Sequence, residues 1–426
     1  MEIRCRFLSG LLIASVFGVQ FAANAQSPAI DSVKITIEQA EKQFASQNLT
    51  LLAQKYDIEA SKAAIIQAKL FDNPTLYFEK NISHGEIVTA GATGETYWQL
   101  QQLFYMAGKR KKRTNIEKIN EKISEYQYYD MLRTLLYQLR SSYYGLHYDL
   151  QTIKVYDSQI VSAKKIAEAL DGQYQKGNIS LKEITRIKAL LFTLENEKLN
   201  LLSDIQDNQN TLRILTHAAV KTFYVPVVDE SSIDKKSVNS INLQKLLGTA
   251  DTARYDLKEY SAGMDLQQAN YSYQKALAVP DLTLSTDYDK SGNFALSYQG
   301  IGIGLPIPVW NRNRGNILQA KSFVDKSKAE YEEKRNEVQS ETAAAYSKAL
   351  DAENLYRNFD KGFASDFNKL ISGITESYEK RNTSLLEFLD YYQSYTESMS
   401  QLMQLRKNKA TAVEEINFVA GTDIIK

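Results

Sequence analysis

The chain has 426 residues with 51 basic and 51 acidic side chains, so its formal net charge is zero, which argues against electrostatic capture of nucleic acid. Its single cysteine, Cys5, lies within the first 25 residues, and this excludes disulfides and thiolate metal sites from the rest of the chain. After that segment no apolar run of about 18 residues occurs, so no membrane-spanning helix is expected.

The first 25 residues predict a secretory signal peptide. Arg4 and Arg6 precede an almost wholly apolar stretch from Leu8 to Phe21, and Ala23-Asn24-Ala25 provides an A-x-A cleavage site. The alternative interpretation is a buried first helix. Cleavage would leave Gln26 at the new N-terminus, and because this residue is not a cysteine we expect no lipid anchor.

Residues 26–216 are predicted to form the first of two structural repeats. A helix within Ile35–Phe71 leads into a β-hairpin over residues 74–105, whose strands Thr75–Ile82 and Thr96–Phe104 enclose a Gly/Ala-rich loop. Each strand is about nine to eleven residues long, which is the length that crosses a bilayer at a tilt.

A long helical hairpin is predicted over residues 109–216. Its first helix extends from Arg110 to about Gln173, a stretch without proline, and apolar residues recur every seven positions from Leu139 to Tyr174. At 1.5 Å per residue, a helix of about 64 residues spans close to 100 Å. No compact globular domain requires an element of that length.

The second repeat is predicted over residues 241–426, after a linker over 217–240. It contains a helix within Leu243–Leu277, a β-hairpin over 280–308 and a second long helical hairpin over 312–421. The order of elements therefore matches that of the first repeat.

One motif occurs twice, about 200 residues apart. The first copy, from Tyr174 to Glu183, reads Tyr-Gln-Lys-Gly-Asn-Ile-Ser-Leu-Lys-Glu, and the second, from Tyr378 to Glu387, reads Tyr-Glu-Lys-Arg-Asn-Thr-Ser-Leu-Leu-Glu. Gly177 suits the left-handed position just past a helix end, and S-x-x-E is the capping box that begins a helix. Each copy therefore predicts a tight turn at the tip of a helical hairpin.

Four strands in one chain cannot close a barrel, and lipid tolerates no open sheet edge. Strand character is clearest from Leu282 to Asp289, where apolar and polar residues alternate. Closure therefore requires oligomerisation. Two chains would give eight strands, whose side chains fill the interior, whereas three would give twelve strands with room for a passage. Twelve strands are preferred only if the function of the chain is transport.

The sequence resembles the outer membrane efflux protein family, the TolC-like exit ducts of Gram-negative export systems. The resemblance covers nearly the whole mature chain and is carried by Asn73-Pro74-x-Leu76, by Gln102-Leu-Phe with Gly108-Lys-Arg and Arg113, by both tip motifs and by Ala420-Gly421. The string from Leu305 to Ile317, Leu-Pro-Ile-Pro-Val-Trp-Asn-Arg-Asn-Arg-Gly-Asn-Ile, resembles the branch that serves heavy-metal efflux pumps of the resistance-nodulation-division (RND) type.

The resemblance implies a mainly α fold with a small β part. It implies a trimeric outer membrane efflux duct, in which a 12-stranded β-barrel with four strands per chain continues into a long α-helical periplasmic barrel, with the linker in an equatorial belt. The implied partners are two further copies of the chain in a homotrimer, a periplasmic adaptor (membrane fusion) protein, an inner membrane RND transporter that supplies the energy, and outer membrane lipid. The chain would be a passive exit duct, with heavy-metal cations as the expected substrates.

By position, the resemblance implies that the hairpin tips close the duct at rest and contact the adaptor when it is open. The adaptor-contacting residues would be Gly177, Asn178, Ile179, Ser180, Arg381, Asn382, Thr383 and Ser384. Ordinary helix-turn chemistry is the alternative role. Arg381 replaces the glycine usual in the family, and Thr383 stands where relatives often have a gating arginine, so an ion-pair latch is either missing or supplied by Arg381.

Tyr378, Glu183, Glu387 and Asp390 match positions of the periplasmic gate in the family. Three copies of a carboxylate around an axis repel one another and attract cations. The alternative for Glu183 and Glu387 is a purely structural role as capping-box partners.

We expect no cofactor, no resident metal and no catalytic residue, and hence no enzyme. His84, His147 and His217 lie in a loop, a long helix and the linker, without ligand spacing. The sequence also has no nucleophile–base arrangement and no phosphate-cradling loop.

Two surface features have competing interpretations. The basic run Lys109–Arg113 could bind nucleic acid or heparin, but its place between a strand and a helix of a secreted protein favours a solvated belt. Trp98 and Trp310 are candidates for interfacial anchors or for ordinary packing.

Two alternative functions remain open. The chain could be an exit duct for drugs or for secreted polypeptides, or a periplasmic coiled-coil scaffold that never enters a membrane. The alternation of Leu282, Leu284 and Tyr288 favours a duct, because a scaffold has no use for it.

Overall fold

A computed structural model describes residues 31–80, 96–290, 297–359 and 362–425. The signal peptide predicted over residues 1–25, the loop with His84 and the turn after Lys290 lie outside the described residues. Within them, six strands and ten helices follow in the order β1 Asp31–Ile35, α1 Ile37–Gln47, α2 Leu49–Lys69, β2 Thr75–Lys80, β3 Thr96–Phe104, α3 Lys109–Gln175, α4 Leu181–Thr216, β4 Thr222–Pro226, α5 Glu230–Lys235, α6 Leu243–Ala253, α7 Tyr255–Leu277, β5 Leu282–Lys290, β6 Ser297–Gly304, α8 Arg314–Asn358, α9 Phe363–Glu379 and α10 Leu385–Ala420. The predicted mainly helical fold with a small β part is confirmed.

The sheet and the helices form a wall that is four elements wide. Strands β2, β3, β5 and β6 pair in that order, and every pairing is antiparallel. The four helices joined to them pack in the matching order α2, α3, α7 and α8. The wall thus ends laterally at α2 and β2 on one side and at α8 and β6 on the other.

The two faces of the four-stranded sheet have opposite chemistry. The strand register places one mainly apolar set on the first face: Leu76, Phe78, Trp98, Leu100, Phe104, Leu282, Leu284, Tyr288, Ile301 and Ile303. These side chains are largely uncovered within one chain, and Ile301 is 89% exposed. The second face carries the polar residues, among them Glu79, Gln99, Gln101, Thr283, Ser285, Asp287 and Asp289.

The long helix α3 has 67 residues and belongs to both halves of the molecule. Its first half packs between α2 and α7, and its second half packs against α4 and α10. The predicted seven-residue seam is largely buried, since Leu139, Leu146 and Ala167 are all at most 7% exposed. Among the described helices, none combines the length and apolarity needed to span a membrane.

A buried charge cluster joins α3, α7 and α8 in the wall. Arg254, at the start of α7, donates two hydrogen bonds to Asp256, from Nε at 3.0 Å and from Nη2 at 2.6 Å. Arg133 of α3 and Lys334 of α8 approach the same carboxylate at 3.7 and 3.3 Å. Burial opposes ionisation of Asp256, but the hydrogen bonds and charge of Arg254 outweigh it and lower the pKa to about 2.

The helices predicted before each sheet hairpin are each broken once. Asn48 and Arg254 have extended backbone, with ψ of 117° and 127°, and separate α1 from α2 and α6 from α7. The Asn48 side chain caps the new helix by accepting from the N–H of Leu51 at 2.9 Å, and it donates to the carbonyl of Leu215 at 3.0 Å. Hydrophobic periodicity alone does not reveal such a break, because apolar spacing continues across it.

The segment predicted as a linker contains ordered structure. Strand β4 pairs in parallel with β1, and together they form a two-stranded sheet that sequence reasoning missed. The Tyr143 hydroxyl of α3 lies 3.0 Å from the carbonyl of Ile35 and 2.7 Å from that of Val227, and it holds the C-terminal end of both strands against the long helix. The segment therefore packs against the middle of α3.

The second predicted long helix is not continuous. Helix α8 ends at Asn358, Phe359 has extended backbone with ψ of 134°, and α9 begins at Phe363 after Gly362. Asparagine and glycine are weak helix formers, glycine by about 1 kcal/mol relative to alanine. The first helix of the first hairpin, α3, is therefore continuous, whereas the corresponding helix of the second hairpin is divided into α8 and α9.

Candidate functional site

The two helical-hairpin tips have the same hydrogen-bond pattern. In the first, Gly177 N–H donates to the carbonyl of Tyr174 and Asn178 N–H to that of Gln173, both at 2.9 Å. This pair of bonds is the Schellman motif that ends a helix.

The second tip repeats this pattern 204 residues later. Arg381 N–H donates to the carbonyl of Tyr378 and Asn382 N–H to that of Ser377, again at 2.9 Å. The structure thus places the predicted tip residues in two equivalent turns.

The residue after each helix end adopts left-handed backbone. Gly177 has φ of +74° and Arg381 has φ of +61°. The substitution of glycine by arginine therefore leaves the second turn geometrically intact, although a side chain in this region costs about 1 kcal/mol or more. The Arg381 side chain is exposed.

The two return helices begin with different caps. At the first tip, the N–H and the hydroxyl of Ser180 both donate to one carboxylate oxygen of Glu183, at 2.8 and 3.0 Å. These hydrogen bonds lower the pKa of Glu183. At the second tip, Ser384 Oγ accepts from the N–H of Glu387 at 3.2 Å, and the Glu387 carboxylate is exposed to solvent. The capping-box role is therefore observed for the Glu183 carboxylate. The Glu387 carboxylate is exposed and remains available for contacts with other groups.

Tyr378 packs within the second hairpin and lies near the first. Its ring stacks on that of Phe388, with centroids 4.7 Å apart and an interplanar angle of 23°. Burial raises the pKa of Tyr378, and the neighbouring Glu183 carboxylate raises it further. The structure therefore brings together two of the four candidate gate residues, one from each hairpin.

Asp390 lies in a different setting, a groove of about 430 Å³ between the return helices α4 and α10. Arg186 and Glu197 of α4 line the same groove, as do Leu190 and Leu389. Glu387 and Asp390 are both exposed one turn apart on α10. Sequence reasoning missed Arg186 and Glu197, because only the pairing of the two return helices reveals them.

The polar face of the sheet is the second candidate site. Tyr97 Oη and Gln99 Nε2 both donate to Asp287 Oδ1, at 2.9 and 2.6 Å. Three acidic residues, Glu79, Asp287 and Asp289, share this face, and none of its described strand residues is basic. The face therefore carries net negative charge.

Tyr298 is the one residue of strand β6 that contributes a side chain to the polar face. Gly300, Gly302 and Gly304 occupy alternate positions on it. A Cβ on Gly300 would lie 2.7 Å from the Tyr298 hydroxyl, and one on Gly302 would collide with the Ser285 hydroxyl. The neighbouring side chains thus fold over the glycine backbone.

The histidines and tryptophans named from the sequence differ in their surroundings. Within the described residues, no three acidic, histidine or cysteine side chains are grouped as metal ligands. His147 is buried, with Nε2 3.0 Å from Glu230 Oε1, and His217 ends α4 in left-handed backbone. Trp98 packs on Phe78 with ring centroids 4.5 Å apart, whereas Trp310 is 95% exposed.

Comparison with known proteins gives matches along most of the chain. Residues 28–216 and 246–422 match the family described as outer membrane efflux protein. The chain is 22% identical over 297 residues to the cobalt-zinc-cadmium resistance protein CzcC of Cupriavidus metallidurans, which corresponds to 70% of this chain and 68% of that protein.

Solved structures show the same fold. CusC, described for conformational changes that accompany folding and transmembrane channel formation, is similar with a TM-score of 0.72 and 15% identity over 91% of this chain and 92% of its own. The Campylobacter jejuni CmeC outer membrane channel has a TM-score of 0.74 and 15% identity over 91% and 86% of the two chains. The open state of the Neisseria gonorrhoeae MtrE outer membrane channel has a TM-score of 0.68 and 13% identity over 91% and 89%.

The left-handed tip residue yields a direct stability prediction. Gly177→Ala should lower the free energy of unfolding by about 1 kcal/mol, because the new Cβ meets open space and only backbone strain is added. Gly172→Ala is the matched control: it lies inside α3, also faces open space, and should raise stability by about 0.5–1 kcal/mol. Denaturant unfolding of the purified protein measures both. Equal effects of the two substitutions would contradict the assigned backbone geometry.

Proposed function

The chain belongs to the outer membrane efflux protein family, and we propose that three copies of it form the exit duct of a tripartite pump that expels heavy-metal cations. Family membership makes it an outer membrane efflux channel protein. The observation that carries the trimer is the four-stranded sheet, which has one apolar face, one polar face and two open edges.

The two edges of the sheet are suited to join one another in a ring. Successive strands alternate in direction, so β2 and β6 run oppositely, and the β6 edge of one copy can pair antiparallel with the β2 edge of the next. Such head-to-tail contacts close into cyclic assemblies. Lipid requires this closure, because every open edge leaves unpaired backbone groups in hydrocarbon.

Three copies give a ring that can conduct. Eight strands from two copies would be filled by their own side chains, whereas twelve strands leave a passage. The helices α2, α3, α7 and α8 follow the strand order, so the same symmetry would extend the twelve-stranded barrel into a twelve-helix periplasmic barrel. We propose residues 26–216 and 241–426 as two structural repeats, with the segment over 217–240 at the equator.

Metal cations are the cargo that the chemistry favours. Glu79, Asp287 and Asp289 on the polar face would make rings of carboxylates in a trimer, and such rings favour cation passage. The printed name of CzcC refers to cobalt, zinc and cadmium resistance. The residues 305–317 resemble the heavy-metal branch of the family. Ducts for drugs or polypeptides remain the second candidate, because the cargo is selected largely by the pump.

The helical tips are the proposed contact with the adaptor, and an inner membrane RND transporter is the proposed source of energy. Both tips end in equivalent turns, so six similar turns would surround the periplasmic mouth of a trimer. Tyr378, Glu183, Glu387 and Asp390 are the proposed gate. The chain itself has a transport role without catalysis or a cofactor.

The function is tested by deletion followed by growth on graded cobalt, zinc, cadmium, copper and nickel, and on common antibiotics. We expect increased sensitivity to at least one metal, restored by a plasmid copy of the gene. Unchanged metal sensitivity together with lost resistance to a hydrophobic drug would replace the metal proposal by the drug duct.

The orientation of the sheet is tested by two neighbouring substitutions in β3. Leu100→Arg places a charge on the apolar face and should cost about 2–4 kcal/mol near the bilayer midplane. Gln101→Arg, on the polar face, should be tolerated. Heat-labile trimer in outer membrane fractions is the measurement. Trimer formation by both variants, or a soluble periplasmic monomer for the unmodified chain, would exclude the proposed barrel.

The gate is tested by recording cation-to-anion permeability in planar bilayers. Glu387→Gln and Asp390→Asn together should lower cation selectivity severalfold, because each copy loses two charges at the proposed gate. Asp366→Asn, a 76% exposed residue of α9, is the charge control and should leave selectivity unchanged. If the control and the double variant behave alike, the gate lies elsewhere.

A further inference from the structure

The first turns of α3 border a large basic groove. It has a volume of about 1120 Å³ and lies between α2, α3 and α7. Five cations line it, namely Lys69, Arg110, Lys111, Lys112 and Lys118, against one carboxylate, Asp265. In the part of the chain that the structure describes, none of the five forms an ion pair. The groove therefore has an excess of uncompensated positive charge.

This charge is locally unfavourable in the absence of an anion. The first turn of α3 contains no acidic residue, although helix N-termini favour negative charge. Lys109 is the exception in the basic run, because it is buried and its Nζ lies 2.7 Å from Asp281. The expectation of a solvated belt over Lys109–Arg113 is thus wrong for Lys109, which is buried.

Lys109 also shows which side of the wall the groove occupies. Asp281 immediately precedes Leu282, whose side chain is on the apolar face, so Asp281 belongs to the polar side. Lys109 reaches Asp281 and therefore projects to the polar side as well. Because successive residues of an α-helix are about 100° apart, Lys111 lies about 200° around the helix axis from Lys109. It lines the groove from the apolar side of the wall.

Arg113 gives the same orientation independently. Its guanidinium lies over the ring of Tyr105, 5.7 Å from the centroid. Tyr105 follows Phe104 of the apolar face and so lies on the polar side. Arg113 does not line the groove, as expected if the groove lies on the opposite, apolar side of the wall.

The groove also lies at the level where the sheet ends. Helix α3 begins five residues after Phe104, the last residue of β3. Arg110 stacks on Phe71 at 3.5 Å from the ring centroid, and Phe71 is 58% exposed beside the groove. An apolar surface directly above a cationic groove matches the boundary between acyl chains and headgroups.

We propose that this groove binds the phosphate of an anionic phospholipid from the periplasmic leaflet of the outer membrane. The inference rests on the proposed membrane barrel, which sets the sheet in the bilayer. The lysines and Arg110 hold the headgroup, while the acyl chains lie along the apolar face of the sheet. Bound lipid thereby fixes the depth of the trimer in the membrane.

Native mass spectrometry of the purified trimer tests the proposal. Phosphatidylglycerol is titrated in neutral detergent, with phosphatidylethanolamine and inorganic phosphate in parallel. We expect saturable binding of one phosphatidylglycerol per chain, tighter than either comparison ligand. Lys69→Gln, Lys111→Gln and Lys112→Gln combined should weaken it on the order of a hundredfold.

The control combines Lys165→Gln, Lys182→Gln and Lys369→Gln, three exposed lysines in the distal helices. It changes the net charge equally and should leave lipid binding intact. Equal weakening in both triple variants, or inorganic phosphate binding as tightly as the lipid, overturns the proposal. Heat-labile trimer is checked for each variant. A trimeric variant that still binds lipid refutes only the groove, whereas a monomeric unmodified chain refutes the proposed function.

Discussion

The open sheet is the constraint on which the rest of the molecule depends. Four strands cannot satisfy the backbone groups at both of their edges, and lipid offers no substitute partner. An even number of strands makes the two edges antiparallel to each other. Each edge can thus be completed by the opposite edge of an identical chain, and the helices in matching order inherit the same symmetry.

The tips show how one backbone geometry tolerates different residues. Gly177 and Arg381 both adopt the left-handed conformation, and the same two hydrogen bonds close each turn. What differs is the side-chain chemistry around the turns. Glu183 is held by Ser180, whereas Glu387 is left exposed. The two hairpins therefore present similar backbones with different side-chain charges.

The sequence predicted the elements whose signals are local and periodic. Strand alternation, the seven-residue seam of α3 and both tip turns follow from spacing and capping chemistry. It did not predict the breaks at Asn48 and Arg254 or the pairing of β1 with β4, because these depend on contacts distant in the chain. The groove between α4 and α10 was missed for the same reason. The interruption after Asn358 had only the weak signal of Gly362.

The glycines of β6 have a consequence for the shape of the conduit. Tyr298 is the one residue of β6 with a side chain on the polar face, and the Tyr298 ring and the Ser285 hydroxyl lie over Gly300 and Gly302. In the proposed trimer, β6 would border the seam with the next copy, so the space above these glycines would lie beside each seam. A larger residue at Gly300 or Gly302 would displace the Tyr298 or Ser285 side chain and so narrow the bore at that place.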